Sequence, residues 1–313
     1  MEMNRDNKSV SELIAENHSK RSLLKFTETA VPKFLLVCAV VSILTTIGIV
    51  FTLLFETFTF FKTVSFIEFV TSKEWHPMHS NPNFGILPLV TGTLLITVIA
   101  ITVAIPIGLG AAIYLSEYAS EKMRKVIKPI LEVLAGVPTI VYGFFALTFV
   151  TPMLRQVVPD LSIYNALSPG IVVGIMIIPM IASLSEDAMS SVPNSIRQGA
   201  YALGATKLEV AIKVVLPAAL SGVIASFVLA MSRAIGETMI VTVAGGANPT
   251  TAIDVTSAIQ TMTAYIVQVS LGDATYGSTV YYSIYAVGMT LFVFTLVMNV
   301  LAFFISRKFR EEY

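Results

Sequence analysis

Long apolar runs alternate with short polar or charged stretches along most of the chain. Uncharged runs cover Phe34 to Phe55, Gly85 to Leu115, Val133 to Leu154 and Leu161 to Ser185, and a last run reaches Ser306 from about Tyr281. A sixth, Leu216 to about Ala244, is interrupted by Arg233 and Glu237. A bilayer core of about 30 Å takes roughly 20 apolar residues as a helix, because unpaired backbone groups are too costly in hydrocarbon. The pattern therefore predicts an all-α membrane protein with six transmembrane helices. Four segments follow: an N-terminal arm (1–33), a first transmembrane helix with its loop (34–84), a core transmembrane domain (85–306) carrying a long loop at 186–216, and a tail (307–313).

Composition agrees with a membrane solvent. Of 313 residues 55% are hydrophobic and 13% charged, more apolar surface than one soluble core buries. Lys plus Arg and Asp plus Glu are both 20, so no net charge favours nucleic acid. The distribution of charge carries the information. With both termini inside, segments 1–33, 116–128, 186–215 and 306–313 hold 6, 4, 3 and 3 basic residues, whereas the opposite side holds only Lys62, Lys73 and Arg155. That asymmetry satisfies the positive-inside rule and predicts a multi-pass protein of the cell's inner membrane with both termini cytoplasmic. The first 33 residues lack the basic–apolar–cleavage order of a leader, so the arm is expected to be retained. Cys38, the single cysteine, excludes a disulfide framework or thiolate metal site and is expected to be a small buried hydrophobe.

Pro106, Pro138 and Pro179 fall in the inner halves of their spans under this topology, and bends are expected there, either for packing alone or to line a cavity. Segment 255–271 has Val255, Ile259, Met262, Ile266 and Val269 near helical spacing, which predicts a surface helix over the outer face. In the 57–84 loop, His76 and His79 have no third ligand, so Trp75 is expected to be an interfacial anchor beside solvated histidines rather than part of a metal site.

The long inner loop reads as helix, glycine, helix. Ser191 and Pro193 suit a helix start, Ile196, Ala200 and Leu203 share a face, and Gly204 suits a left-handed stop. Thr206 and Glu209 then have capping-box spacing, with Leu208, Ile212 and Val215 continuing an apolar stripe. Such an amphipathic elbow is shaped to dock into a partner's groove. This loop resembles the cytoplasmic signature of ABC importer permeases: Glu-Ala-Ala, three residues, Gly, and later a hydrophobic residue followed by Leu-Pro. Here Gln198 replaces the acid and Gly199 the first alanine, while Ala200, Gly204, Leu216 and Pro217 match. The resemblance implies that these six residues belong to the coupling loop (186–216) and the proline that follows it, and that they contact a nucleotide-binding subunit.

Further stretches resemble the phosphate permeases. They are Phe84-Gly85-Ile86-Leu87-Pro88-Leu89 with Ala112-Ile113-Tyr114-Leu115-Ser116-Glu117-Tyr118, then Ala135 through Gly143, Ser185-Glu186-Asp187-Ala188, and Arg233 through Thr238. The first span and its Trp75 loop are similar to the PstC-type member of the permease pair. The resemblance implies a type I importer permease for inorganic phosphate. Its partners would be a PstA-type second permease, a PstB-type ATPase dimer and a PstS-type extracytoplasmic phosphate-binding protein. ATP and Mg would be used by the ATPase, with no cofactor on this chain.

Arg233 and Glu237 carry charge near the middle of a span, at about 2.5–3.5 kcal/mol for a charge at a helix centre. At i and i+4 they either form a structural ion pair, or Arg233 offers a permanent cation to a passing oxyanion while Glu237 orients it and limits retention. No glycine in the chain precedes a lysine, so a Walker loop is excluded and the chain is expected to be a transport subunit rather than an enzyme. Sulfate or molybdate would suit the same arginine. A secondary transporter would need more intramembrane carboxylates than Glu237.

Overall fold

The computed structural model describes residues 10–272 and 274–308. The outermost parts of the expected arm and tail, residues 1–9 and 309–313, lie outside the described residues, as does Asp273 in the loop before the last span. The chain divides into two units, 1–55 and 56–313. The described residues of the first lie in one helix, α1 (Val10–Phe60), with Pro32 inside it and a long apolar stretch from Ala30 onward. The side chains from Phe34 to Leu36, and those of Ile43, Leu44 and Phe51, are exposed. Cys38 is exposed as well, which corrects the expectation of burial: within its own unit a single helix offers no interior.

In the second unit the longest packed pair is α3 (Leu87–Ile113) against α7 (Leu167–Ser190). Small residues bring the two backbones together, as membrane helices require when no solvent drives their association. Ala100, Ala104 and Ala112 of α3 are fully buried, and a side-chain carbon on Gly174 would stand 2.8 Å from the Ala100 carbonyl oxygen. Pro106 and Pro179 lie inside these two continuous helices.

Pro138 behaves differently. The expected span Val133–Leu154 is two helices, α4 (Glu121–Gly136) and a second piece from Thr139 to Arg155, meeting at 87°. The second piece comprises α5 (Thr139–Phe145), a π-helical turn (Ala146–Val150) and α6 (Thr151–Arg155). Proline forces the residue before it out of the helical region, and Val137 sits at ψ 130. Helix α4 buries no residue and is started by Ser120, whose hydroxyl accepts from the Met123 amide.

The 186–216 loop contains α8 (Asn194–Ala202), α9 (Lys207–Val210), a π-helical turn (Ala211–Val215) and α10 (Leu216–Ala218). A 75° bend then leads into α11 (Leu220–Ile235), which stops before α12 (Met239–Ala244). With α1, α3, α7 and α14 (Thr279–Lys308), the two bent pairs bring the candidate spans to six. Interhelical hydroxyl bonds tie the bundle, Ser185 to Ser226 at 2.7 Å and Thr151 to Ser168 at 2.8 Å.

The 57–84 loop is more ordered than its composition suggests. It holds α2 (Phe66–Thr71) and a two-residue antiparallel ribbon, β1 (Trp75–His76) with β2 (Asn83–Phe84). Trp75 is 1% exposed, which corrects its reading as an interfacial anchor. Its ring meets Tyr265 edge-on at 4.8 Å and Phe84 at 5.9 Å, inside an aromatic cluster with Phe60 and Phe69. Tyr265 belongs to α13 (Met262–Leu271), so only the second half of the expected 255–271 helix is helical, and its first turn is buried while its end is exposed. His76 and His79 stack edge to face on the exposed side of the ribbon.

Candidate functional site

At the end of α3 remote from Trp75, the elbow forms as its sequence dictates. Helix α8 ends at Ala202, and Gly204 takes φ +84, the left-handed conformation that costs glycine nothing. Its amide reaches the Tyr201 carbonyl at 2.9 Å, and the Ala205 amide returns to Ala200 at 3.2 Å. Thr206 and Glu209 then form a complete capping box. The backbone amide of Thr206, then the ammonium of Lys213 and the Thr206 hydroxyl, pull the Glu209 carboxyl down to about 2. Ile196 and Ala200 pack on a small core with Val210, Val215 and Val223. Leu203, expected on that same face, is 91% exposed, and Leu208 and Ile212 are exposed with it. The elbow thus presents an unpartnered apolar edge. Gln198, Gly199, Gly204 and Pro217 are exposed along it, while Ala200 and Leu216 are half-buried.

A charge network anchors this elbow. Arg197 of α8 donates to the Met189 carbonyl at 2.7 Å, to the Val192 carbonyl, and to Glu117 at 3.2 Å. Glu117 lies in the π-helical turn Tyr114–Tyr118 that ends α3. Beside it, Arg124 of α4 donates to the Leu115 carbonyl at 2.7 Å and stands 3.7 Å from Glu186 of α7, and Lys128 contacts both Glu186 and Asp187. Glu186 is 1% exposed, so burial of its charge rests on these two cations. Arg197 and Glu117 went unrecognised as partners in the sequence, because residues 80 positions apart leave no local pattern.

In the fifth span, α11 ends at Ile235 and Gly236 interrupts it, so Arg233 and Glu237 no longer share a continuous helix face. Among the described residues neither forms an ion pair. Glu237 is 4% exposed and accepts from the Ile240 amide at 3.3 Å, serving the first turn of α12. The Thr263 hydroxyl holds the Glu237 carbonyl at 2.7 Å. Arg233 is exposed. The simple structural pair is therefore absent, and the two residues flank a helix discontinuity instead.

Comparison with known proteins agrees with this architecture. The chain is 34% identical over 310 residues to the probable ABC transporter permease protein YqgH of Bacillus subtilis, covering 97% of this chain and 98% of the relative. It is 33% identical over 262 residues to the phosphate transport system permease protein PstC of Mesorhizobium japonicum, covering 75% and 76%. Among solved structures, a bacterial ABC transporter that imports alginate aligns over 92% of this chain and 99% of its own, with TM-score 0.63 and 17% identity. The MetNI methionine ABC transporter aligns over 72% and 96%, with TM-score 0.56 and 18% identity. The fold is that of ABC importer permeases. A family profile described as "Binding-protein-dependent transport system inner membrane component" matches residues 104–311, and the chain belongs to that family as a permease subunit of an ABC importer.

Proposed function

We propose that this permease carries inorganic phosphate into the cytoplasm, with Arg233 as the cation that meets the anion in transit. The observation that carries the reading is the state of Arg233. It is a guanidinium near the middle of the 220–244 stretch, exposed on the isolated chain and without an ion pair among those recorded for the described residues. A charge at that depth is tolerated only against protein or a water-filled path, and a discontinuous helix is where transporters place such sites. Glu237 supports the break rather than neutralising the arginine. The PstC relative favours phosphate over other oxyanions.

On this reading the exposed apolar edge at Leu203, Leu208 and Ile212 docks a PstB-type ATPase dimer that uses ATP and Mg. A PstA-type permease completes the pathway, and a PstS-type protein delivers cargo outside. Both termini face the cytoplasm, and the assembly sits in the inner membrane. Arg233→Gln in the reconstituted complex should lower phosphate uptake at least tenfold with assembly intact. Glu237→Gln, whose amide oxygen still serves Ile240, should not rescue it in the double variant. Restored uptake in that double variant would sink the substrate role for Arg233.

A further inference from the structure

We infer that α4 is an in-plane helix of the inner leaflet, seated on anionic phospholipid through its apolar flank and the rim lysines Lys122 and Lys125. Only the choice of leaflet rests on the orientation proposed above. Helix α4 has 16 residues and carries Lys122, Arg124, Lys125 and Lys128 with Glu121 and Glu132, too much charge to stand upright in hydrocarbon. It meets the piece from Thr139 to Arg155 at 87°. That piece alone is about 25 Å long at 1.5 Å per residue, close to the thickness of the hydrocarbon core. With that piece upright, α4 lies along the membrane surface.

Helical spacing divides α4 into three flanks. Arg124, Ile127, Lys128 and Leu131 are half-buried on the flank toward α7, where Arg124 and Lys128 reach Glu186. Met123, Val126, Ile130, Val133 and Leu134 form the next flank, and all five are exposed, Val133 by 71%. Glu121 and Glu132 project from the side opposite Ile130. An apolar flank, a water-facing flank and an axis parallel to the surface are the features of an interfacial helix.

The lysines choose the lipid. Lys122 shares the edge of the apolar flank with Val126 and Val133, and Lys125 stands one step further toward water. Both are exposed, and among the described residues neither has an ion-pair partner. An ammonium at that edge, its stem laid along the apolar surface, stands at the depth of the phosphate headgroups. The two acids point away from that edge, so the rim that meets the headgroups is positive. A protein covering this flank would need acids of its own at the rim, whereas anionic lipid brings its phosphates there unaided. The helix so seated also holds Glu186, the first residue of the 186–216 loop.

The test places a bimane fluorophore at Val126→Cys in a Cys38→Ala chain, labelled before reconstitution with its partners into nanodiscs. Phosphatidylglycerol or phosphatidylcholine, spin-labelled on the acyl chain near the headgroup, is then mixed in. Both lipids should quench the fluorophore, with phosphatidylglycerol effective at a lower mole fraction, by roughly fivefold for each lysine. Lys122→Gln with Lys125→Gln should bring the two lipids to one midpoint, and bimane at Glu132→Cys should escape quenching. Fluorescence at position 126 untouched by either lipid would mean that protein covers this flank. Equal quenching by the two lipids with both lysines present would mean that the rim recruits no anionic headgroup. Either result overturns the site, and neither readout depends on the cargo or on the direction of transport.

Discussion

The Arg197 guanidinium lies 3.2 Å from the Glu117 carboxylate, joining the elbow to the end of α3 across 80 positions of sequence. Both side chains are largely buried, at 13% and 4% exposure, so each depends on the other for burial of its charge. Arg197 also holds two carbonyls that precede α8, so one side chain ties the elbow to the ends of both α3 and α7.

Glu117→Gln should therefore cost about 2 kcal/mol of stability, in the range for a hydrogen bond to a charged group. Combined with Arg197→Gln, the double variant should be less destabilised than the sum of the two, by about 1 kcal/mol or more. Chemical denaturation of the detergent-solubilised protein measures both. Simple additivity would show that the pair is not coupled.

Gly204 offers a cleaner test of the elbow, because a side-chain carbon there meets nothing within 4 Å. Any penalty comes from the backbone at φ +84, about 1–2 kcal/mol for an ordinary residue. Asparagine tolerates that region better, and valine worst. Copurification of the ATPase subunit should fall in the order Gly204→Asn, Gly204→Ala, Gly204→Val, with the exposed control Lys207→Ala unaffected. Full copurification with Gly204→Val would remove this elbow as the docking element.

Glu209 predicts an acid dependence confined to the elbow. Its folded value of about 2 lies below the ordinary 4.5, so its capping contribution is complete above pH 4.5 and is lost as pH falls toward 2. A carbon-13 NMR titration of the labelled carboxyl should show a midpoint near 2, and Thr206→Ala should raise it. A wild-type midpoint near 4.5 would mean the capping box does not persist in solution.

Those elbow features were legible because they are local: a glycine stop and a threonine three residues before a glutamate identify themselves. Long uninterrupted helices such as α3 and α14 were equally plain. A bend at Pro138 was legible from the proline, but its extent, a break of the span into two helices at 87°, was hidden because Val133 and Leu134 on the surface helix α4 merge with the apolar run that follows. Both readings of Arg233 and Glu237, a structural pair or a cation for the anion oriented by the carboxylate, presume one continuous helix, and Gly236 breaks it. The contact of Trp75 with Tyr265 and that of Arg197 with Glu117 depend on tertiary packing, which no window of sequence contains.

Orientation rests on the asymmetry of basic residues and can be tested at two exposed positions. Ser80→Cys should react with a membrane-impermeant thiol reagent applied outside intact cells, and Lys122→Cys should react only after the membrane is opened. Cys38 would be replaced by alanine first. Reversed labelling would overturn the topology and with it the direction of transport.

Service in an ATP-driven phosphate importer is decided by uptake into proteoliposomes. The chain would be reconstituted with its second permease, its ATPase and its binding protein, and labelled phosphate followed with and without ATP. Phosphate should accumulate only with ATP, and excess sulfate or molybdate should not compete it away. Preferential uptake of sulfate or molybdate, or phosphate transport by this chain alone without ATP, would contradict it.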